Sequence, residues 1–437
     1  MSRNFILSVD GLSPTEIGNL TRLLPKSGSL LESGLFAKLD SGVLTSATAI
    51  WAEILTGKPW HHNGCAGYSA PNDSLNNLKV INEDELSDPT SWLLRGSEGE
   101  LDVLINIPLV QPNKSTRIWL ADGSLPTNLR VVPRSLFEAG PFRDYEPRPY
   151  ADYATAFSSP SKNSSASIAS EMKRIDCAVQ LHRTAAWSQF IWRITLFDQL
   201  AHLAGLDILS APDLSLFDEL KLLMDHLDIA LYEMLSEPGI NWIVLSAFSH
   251  VPCGGKANIN TLLKDGHFLR WLPATQAVNA GGRQEAVSAI TKAPLAKHAN
   301  VSMEACIDLK STVAASPVSG CIWINRAERF KDGIVSDADY EIVYADVRDY
   351  LWTVLSRRFA SVIIEENPRR TAKERNLSPD FMVWVEGVEF HNLPCDGSQS
   401  AHLPRTTHNP SGFVLTNCTN YKSEYKMTPT QVAGLIN

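Results

Sequence analysis

The run "NWIVLSAFSHVP", Asn241 to Pro252, constrains this chain more than any other stretch. Trp242 to Leu245 is apolar and β-rich without polar alternation, the pattern of a strand buried on both faces. It then breaks into Ser246, Ala247, Phe248, Ser249 and His250. Such a strand needs helices on each side of its sheet, and its end is where the sheet presents side chains to a ligand. The pattern recurs upstream. "NFILSVDG" reads as a buried strand ending at Asp10-Gly11, and "FIWRITLFDQLAHLAG" as a strand running to Asp198, then a turn or short helix carrying His202.

Helical segments separate these strands. "SPTEIGNLTRLL" has Ser13 as N-cap and Pro14 in its first turn. "SATAIWAEILTG" carries Ile50, Ile54 and Leu55 at helical spacing and stops at Gly57. "SLFDELKLLMDHLDIALYEML", "NINTLLKDGHFLRW" and "SDADYEIVYADVRDYLWTVLSRR" read as helices; "FAKLDSGVL", "GCIWINRAERFKDG", "SVIIEE" and "DFMVWV" read as strands or strand and turn. The alternation predicts an α/β fold, with a mostly parallel central sheet and helices on both faces. Residues 1–70 and 190–437 are assigned to this core. Residues 71–189, with the Pro-rich "NIPLVQPN" and "YEPRPY", are read as a cap or insertion. The Ser-rich "SSPSKNSSASIAS" is read as a mobile loop before a helix.

Composition narrows the partners. The chain has 437 residues, a net charge of −9 and 20% charged residues. With no basic surplus to displace counterions, nucleic acid is not an expected partner. A small-molecule substrate is expected. No apolar run reaches the roughly 20 residues of a membrane span. "MSRNFILSVDG" leads straight into a strand without a signal peptide, and the seven cysteines form no CxxC, so a cytoplasmic protein with reduced core thiols is expected. A homodimer is compatible with the sequence but not required by it.

The strand ends gather Asp10, the Ser46–Thr48 turn, the Asp198/His202 pair and residues 246–250 on one rim. Asp-x-x-x-His at 198 and 202 can aim two ligands at one metal ion; equally, Asp198 can cap a helix and His202 lie on the surface. His250 suits a general acid or base, or a strand-end histidine bonded to backbone. Asp10 suits a general base or a buried carboxylate paired with Lys or Arg. Glu53 is read as a surface or cap-facing residue, and His61 and His62 as loop residues.

Nearly the whole chain resembles the alkaline phosphatase superfamily, in its type I phosphodiesterase/nucleotide pyrophosphatase branch. The resemblance rests on "FILSVDGLSP", "LTSATAIWAEILTGKPWHHNG", "FDQLAHLAG", "IVLSAFSHVP", "NINTLLKDGHFL", "IWINRAERFKDGIV", "LSPDFMVWVEG", "THNPSGFVLTN" and "KMTPTQVAGLI", in family order. It implies a site for two metal ions. The roles of one ion's ligands fall on Asp198, His202 and His408, all present. Those of the other fall on Asp10, on the nucleophile position Ala47, and on an Asp-His pair that here reads Ala247 and Phe248. The family's histidine-glycine turn reads Asn63-Gly64. Ala47 and Ala247 offer no ligand, and Phe248 would fill the vacated space. Three losses at one sub-site suggest a linked change.

The resemblance therefore implies a single divalent ion, zinc first, with iron or manganese as alternatives, and atypical chemistry on a small phosphate, sulfate or carbonyl substrate. Two other readings stay open: a catalytically inactive homologue that binds a ligand or partner, and a conventional phosphodiesterase using Ser46 or Thr48 as nucleophile.

Overall fold

The structure, a computed structural model, describes residues 3–86, 101–111, 117–121, 131–138, 140–145, 160–204, 217–272, 307–369, 377–391, 406–418 and 426–435. Five parallel strands form its centre: Ile240–Ser246, Arg3–Val9, Gln189–Ile194, Asp102–Ile105 and Arg117–Leu120. Beside Ile240–Ser246 run the antiparallel Ser411–Thr416, then Leu35–Asp40 and Lys426–Met427; Val131–Val132 closes the opposite edge of this nine-stranded sheet. The fold is α/β with a mostly parallel sheet, as the apolar strand runs require.

Side chains on these strands alternate between two cores, as a period of two dictates. Phe5, Leu7, Val9, Phe190, Trp192, Trp242 and Val244 face one core, which includes Ile168, Ile175 and Leu181 of the Pro160–Thr184 helix and Leu223 and Leu227 of Phe217–Leu235. Ile6, Ile191, Ile243, Leu245 and Ala247 face the other, with the Ala47–Thr56 helix. By the same alternation Ser8, Asp10 and Arg193 share this second face.

The division of the chain differs from the sequence expectation. Within 71–189, the strands at 102–105, 117–120 and 131–132 belong to the main sheet. They have only two to four residues, too few to register a period. The larger excursion lies between Pro252 and Thr406. It carries a separate four-stranded antiparallel sheet, Ala314–Val318, Cys321–Ile324, Phe381–Val385 and Val362–Glu366, and the helices Ile259–Asp265 and Tyr340–Ser356. An antiparallel ladder of Ser249–Pro252 with Thr406–Asn409 closes its base.

The Ser-rich stretch also differs from expectation. From Pro160 onward it is the start of a helix. Proline suits that first position, and the buried Ile168, Ile175 and Leu181 anchor the helix whatever its serines prefer. Residues 158 and 159 lie outside the described residues. Among the described residues, no helix is long and apolar enough to cross a membrane. Cys65, Cys177, Cys253, Cys321 and Cys418 are free thiols.

Candidate metal centre

Three elements bring the site together. The Leu196–Ala204 helix carries Asp198 in its first turn and His202 one turn on, so Asp198 begins a helix and does not end a strand. Spacing of four puts both on one helical face. The base ladder supplies the others: His250 and His408 are directly paired in register. Gly11, at φ +97°, passes against the Asp198 backbone, where a Cβ would lie 2.6 Å from the Asp198 nitrogen. Only glycine accepts both that backbone conformation and that approach.

One carboxylate oxygen and three imidazoles meet at one point. Asp198 Oδ1 lies 3.0 Å from both His250 Nε2 and His408 Nε2, and 3.5 Å from His202 Nε2. His202 Nε2 and His408 Nε2 are 3.0 Å apart. The four ligand atoms fall within 4.8 Å of one another. Each outer ring nitrogen is held by an oxygen. His202 Nδ1 donates to the Thr406 carbonyl at 3.2 Å, and His408 Nδ1 to the Thr45 carbonyl at 2.7 Å. The Thr406 hydroxyl gives its proton to the Ala201 carbonyl at 2.9 Å and so accepts from His250 Nδ1 at 3.0 Å.

These partners fix the tautomers. With Nδ1 protonated on all three rings, each neutral imidazole turns its Nε2 lone pair toward Asp198. Lone pairs 3.0 Å apart repel unless a cation lies between them. An outer nitrogen tied to a carbonyl or hydroxyl is also how metal-ligating histidines are held. The residues therefore fit a divalent ion.

The ionisation pattern has the same cause. Burial alone would raise the Asp198 carboxyl, but its contacts with the surrounding histidines, a hydrogen bond from protonated His408 among them, hold it well below the usual range. Burial pushes His202 down to about 4 and lowers His250. Burial opposes the charge of His408 too, but its hydrogen bond and charge contact with Asp198 prevail and raise it. Without a metal, one proton on His408 takes the place of the cation. Asp198 and His250 form a buried floor, while the side chains of His202 and His408 keep 17% and 25% exposure and mark the open edge.

The neighbouring sub-site is built differently. Asp10 is fully buried, and both of its oxygens are engaged. Arg193 Nε donates to Oδ2 at 2.5 Å, the Ser8 hydroxyl to Oδ1 at 2.5 Å, and the Ala247 amide to Oδ1 at 3.3 Å. Asp10 is thus an ion-paired carboxylate, not an available base. Phe248 packs its ring on His408, centroids 4.3 Å apart. Ala47 opens the Ala47–Thr56 helix after its N-cap Ser46, and Thr48 is buried beside it. The Asp10, Ala47, Ala247 and Phe248 positions do not fit a second ion.

Sequence reasoning missed Arg193, though a charged residue inside "FIWRITLF" is a visible irregularity in an apolar strand. It placed His250 near the site but as an acid or base, not beside the ligands. It also misjudged Glu53, which is buried and accepts the Trp60 amide at 2.7 Å. Asn63 organises its own turn: its side chain accepts from the Cys65 amide at 2.8 Å and donates to the Lys58 carbonyl at 2.9 Å.

The fold is alkaline-phosphatase-like, in the nucleotide pyrophosphatase/phosphodiesterase-like form. Structures of phosphonoacetate hydrolase from Sinorhizobium meliloti, in complex with phosphonoformate or phosphonoacetate, match 100% of this chain and 95% of theirs, with TM-score 0.60 and 10% and 11% identity. Human ectonucleotide pyrophosphatase/phosphodiesterase 5 matches 100% of this chain and 94% of its own, with TM-score 0.53 and 10% identity. No protein-family model and no curated protein sequence matches this chain. At such identities the likeness carries the fold alone, and function has to be argued from the site.

Proposed function

We propose that this chain is a hydrolase or group-transfer enzyme with a single metal ion, acting on a small phosphate, sulfate or carbonyl compound. The observation that carries the proposal is the convergence of Asp198 Oδ1 and three imidazole Nε2 atoms, with every Nδ1 tied to an oxygen. A divalent ion held by Asp198, His202 and His408 would polarise a substrate oxygen or lower the pKa of water toward ~7. The Ala47–Thr56 helix begins next to the cluster, since the Thr45 carbonyl accepts from His408. Its first amides lack intrahelical acceptors and would suit an anionic group of a substrate bound at that edge. Ala47 has no hydroxyl, so no covalent intermediate forms there. A nitrophenyl phosphodiester turned over at rates usual for two-metal phosphodiesterases would contradict the proposal.

His250 decides between ions. As a fourth protein donor it would complete the four ligands zinc prefers, whereas iron or manganese, which accept five or six, would keep a position open. The filled zinc shell favours a second reading: a structural ion in a ligand- or partner-binding homologue. Two measurements separate the readings. The first is elemental analysis of protein purified without chelator or metal-affinity resin. About one equivalent per chain, lost in His408→Ala, supports a metal centre. A folded chain without metal contradicts both readings and leaves a metal-free binding homologue. The second is the visible spectrum of the cobalt-loaded protein. A change on adding phosphate or a phosphonate marks an open position; an inert spectrum marks a closed, structural shell.

A further inference from the structure

We propose that Arg193 takes the place of a second cation beside the metal centre, so that the site holds one ion by construction. The proposal rests on the metal-centre reading above and extends it to Asp10. Arg193 reaches Asp10 from the adjacent strand, where Ser8 and Arg193 are register partners. Both Asp10 and Arg193 are fully buried. The pair lies against the metal centre. Gly11 contacts the Asp198 backbone, the Ala247 amide binds Asp10, and the Asp10 charge acts on His408.

A buried carboxylate next to a cluster of imidazoles is a cation site unless its charge is already matched. Here it is matched by a guanidinium that cannot lose its proton and cannot diffuse away. The Asn106 side-chain amide holds the Arg193 carbonyl at 2.8 Å, and the Asp10 amide holds the Ile194 carbonyl at 3.1 Å, so both ends of the pair are pinned to the sheet. Ala247 and Phe248 are the residues this exchange allows. With the positive charge supplied from within, the strand end needs no ligand, and Phe248 seals the space against His408. Arg193 is a positioning residue. It keeps Asp10 paired and withdrawn, so that a single ion would be held by Asp198, His202, His250 and His408 without competition.

The test counts zinc or manganese per chain, each supplied alone and followed by dialysis. Wild-type protein is expected to hold one equivalent; none would overturn the metal-centre reading and leave nothing for Arg193 to complement. Ala247→Asp/Phe248→His, which puts ligands back at the strand end, is expected to stay at one equivalent while Arg193 is present. Adding Arg193→Met to that pair is expected to bring two. A second equivalent with Arg193 in place, or one equivalent in a folded triple variant, would overturn the proposal. Should the triple variant not fold, a charge series decides. Asp10→Asn leaves the guanidinium uncompensated beside the ion and is expected to weaken ion affinity roughly ten-fold or more. Asp10→Asn/Arg193→Met is expected to recover it. Equal affinities across the series would mean that Arg193 is packing alone.

Discussion

His250 and His408 stand opposite each other on an antiparallel ladder, and each places Nε2 3.0 Å from the same oxygen of Asp198. The ladder closes the base of the excursion between Pro252 and Thr406. An ion bound there would tie the Leu196–Ala204 helix to both ends of that excursion. Because the ion binds the folded chain and not the unfolded one, its removal is expected to lower the melting temperature.

The role of His250 separates two descriptions of the site. As a ligand, its removal in His250→Ala weakens ion affinity by at least the roughly ten- to hundred-fold that loss of a mere outer-shell partner costs. As an acid or base alone, its removal leaves affinity unchanged and lowers only turnover. Competition against a chelating dye reads the difference. His202→Ala and His408→Ala, which remove two of the three ligands assigned to the ion, are expected to lose the ion altogether.

Ion binding is expected to release about one proton per chain at pH values below the raised value of His408, and fewer above it. The sign follows from the ionisation of the metal-free site. Asp198 holds His408 above its ordinary value against the effect of burial, so the metal-free ring keeps its proton to a higher pH, and the ion needs it neutral. His202, pushed to about 4, is already neutral. Affinity therefore falls as pH drops below the raised value of His408. Calorimetry in two buffers of different ionisation enthalpy counts the proton.

Gly11→Ala is expected to disrupt the centre from a distance. Its φ of +97° is strained for alanine, and the added Cβ would sit 2.6 Å from the Asp198 nitrogen. Backbone strain of this kind costs about 1–3 kcal/mol before the clash is relieved. Relief moves the first turn of the helix that carries Asp198, so the variant is expected to lose both stability and ion affinity. Melting curves with and without added metal test this.

Glu53 predicts a pH dependence unrelated to the ion. Burial pushes its carboxyl up to about 8, against a downward pull from the Trp60 amide. A folded value above the unfolded one means stability is full below the unfolded value, near 4.5, and is lost as pH rises through about 8. Glu53→Gln keeps an acceptor for the Trp60 amide and removes the charge. It is expected to flatten this slope and to be the more stable form at pH 9, by about 1–3 kcal/mol. Urea unfolding at pH 5, 7 and 9 checks the crossover.

What the sequence determined by itself was whatever a local period or a fixed spacing encodes. The buried strands around Phe5, Trp192 and Val244, the helix that stops at Gly57, and the spacing that pairs Asp198 with His202 all follow from neighbours within a few residues, although the sequence ended a strand at Asp198 where a helix begins. Tertiary structure decided the rest. Whether His250 meets Asp198 depends on its register with Thr406–Asn409, strands joined only through the whole excursion between them. Whether Asp10 binds a metal or Arg193 depends on which strand lies beside Arg3–Val9 and at what stagger. The short strands at 102–105, 117–120 and 131–132 carry too few side chains to show a face, and only the sheet they join gives them one. Local propensity is written in each segment, but register and strand order are properties of the closed chain, set by the total burial achieved when distant segments pair.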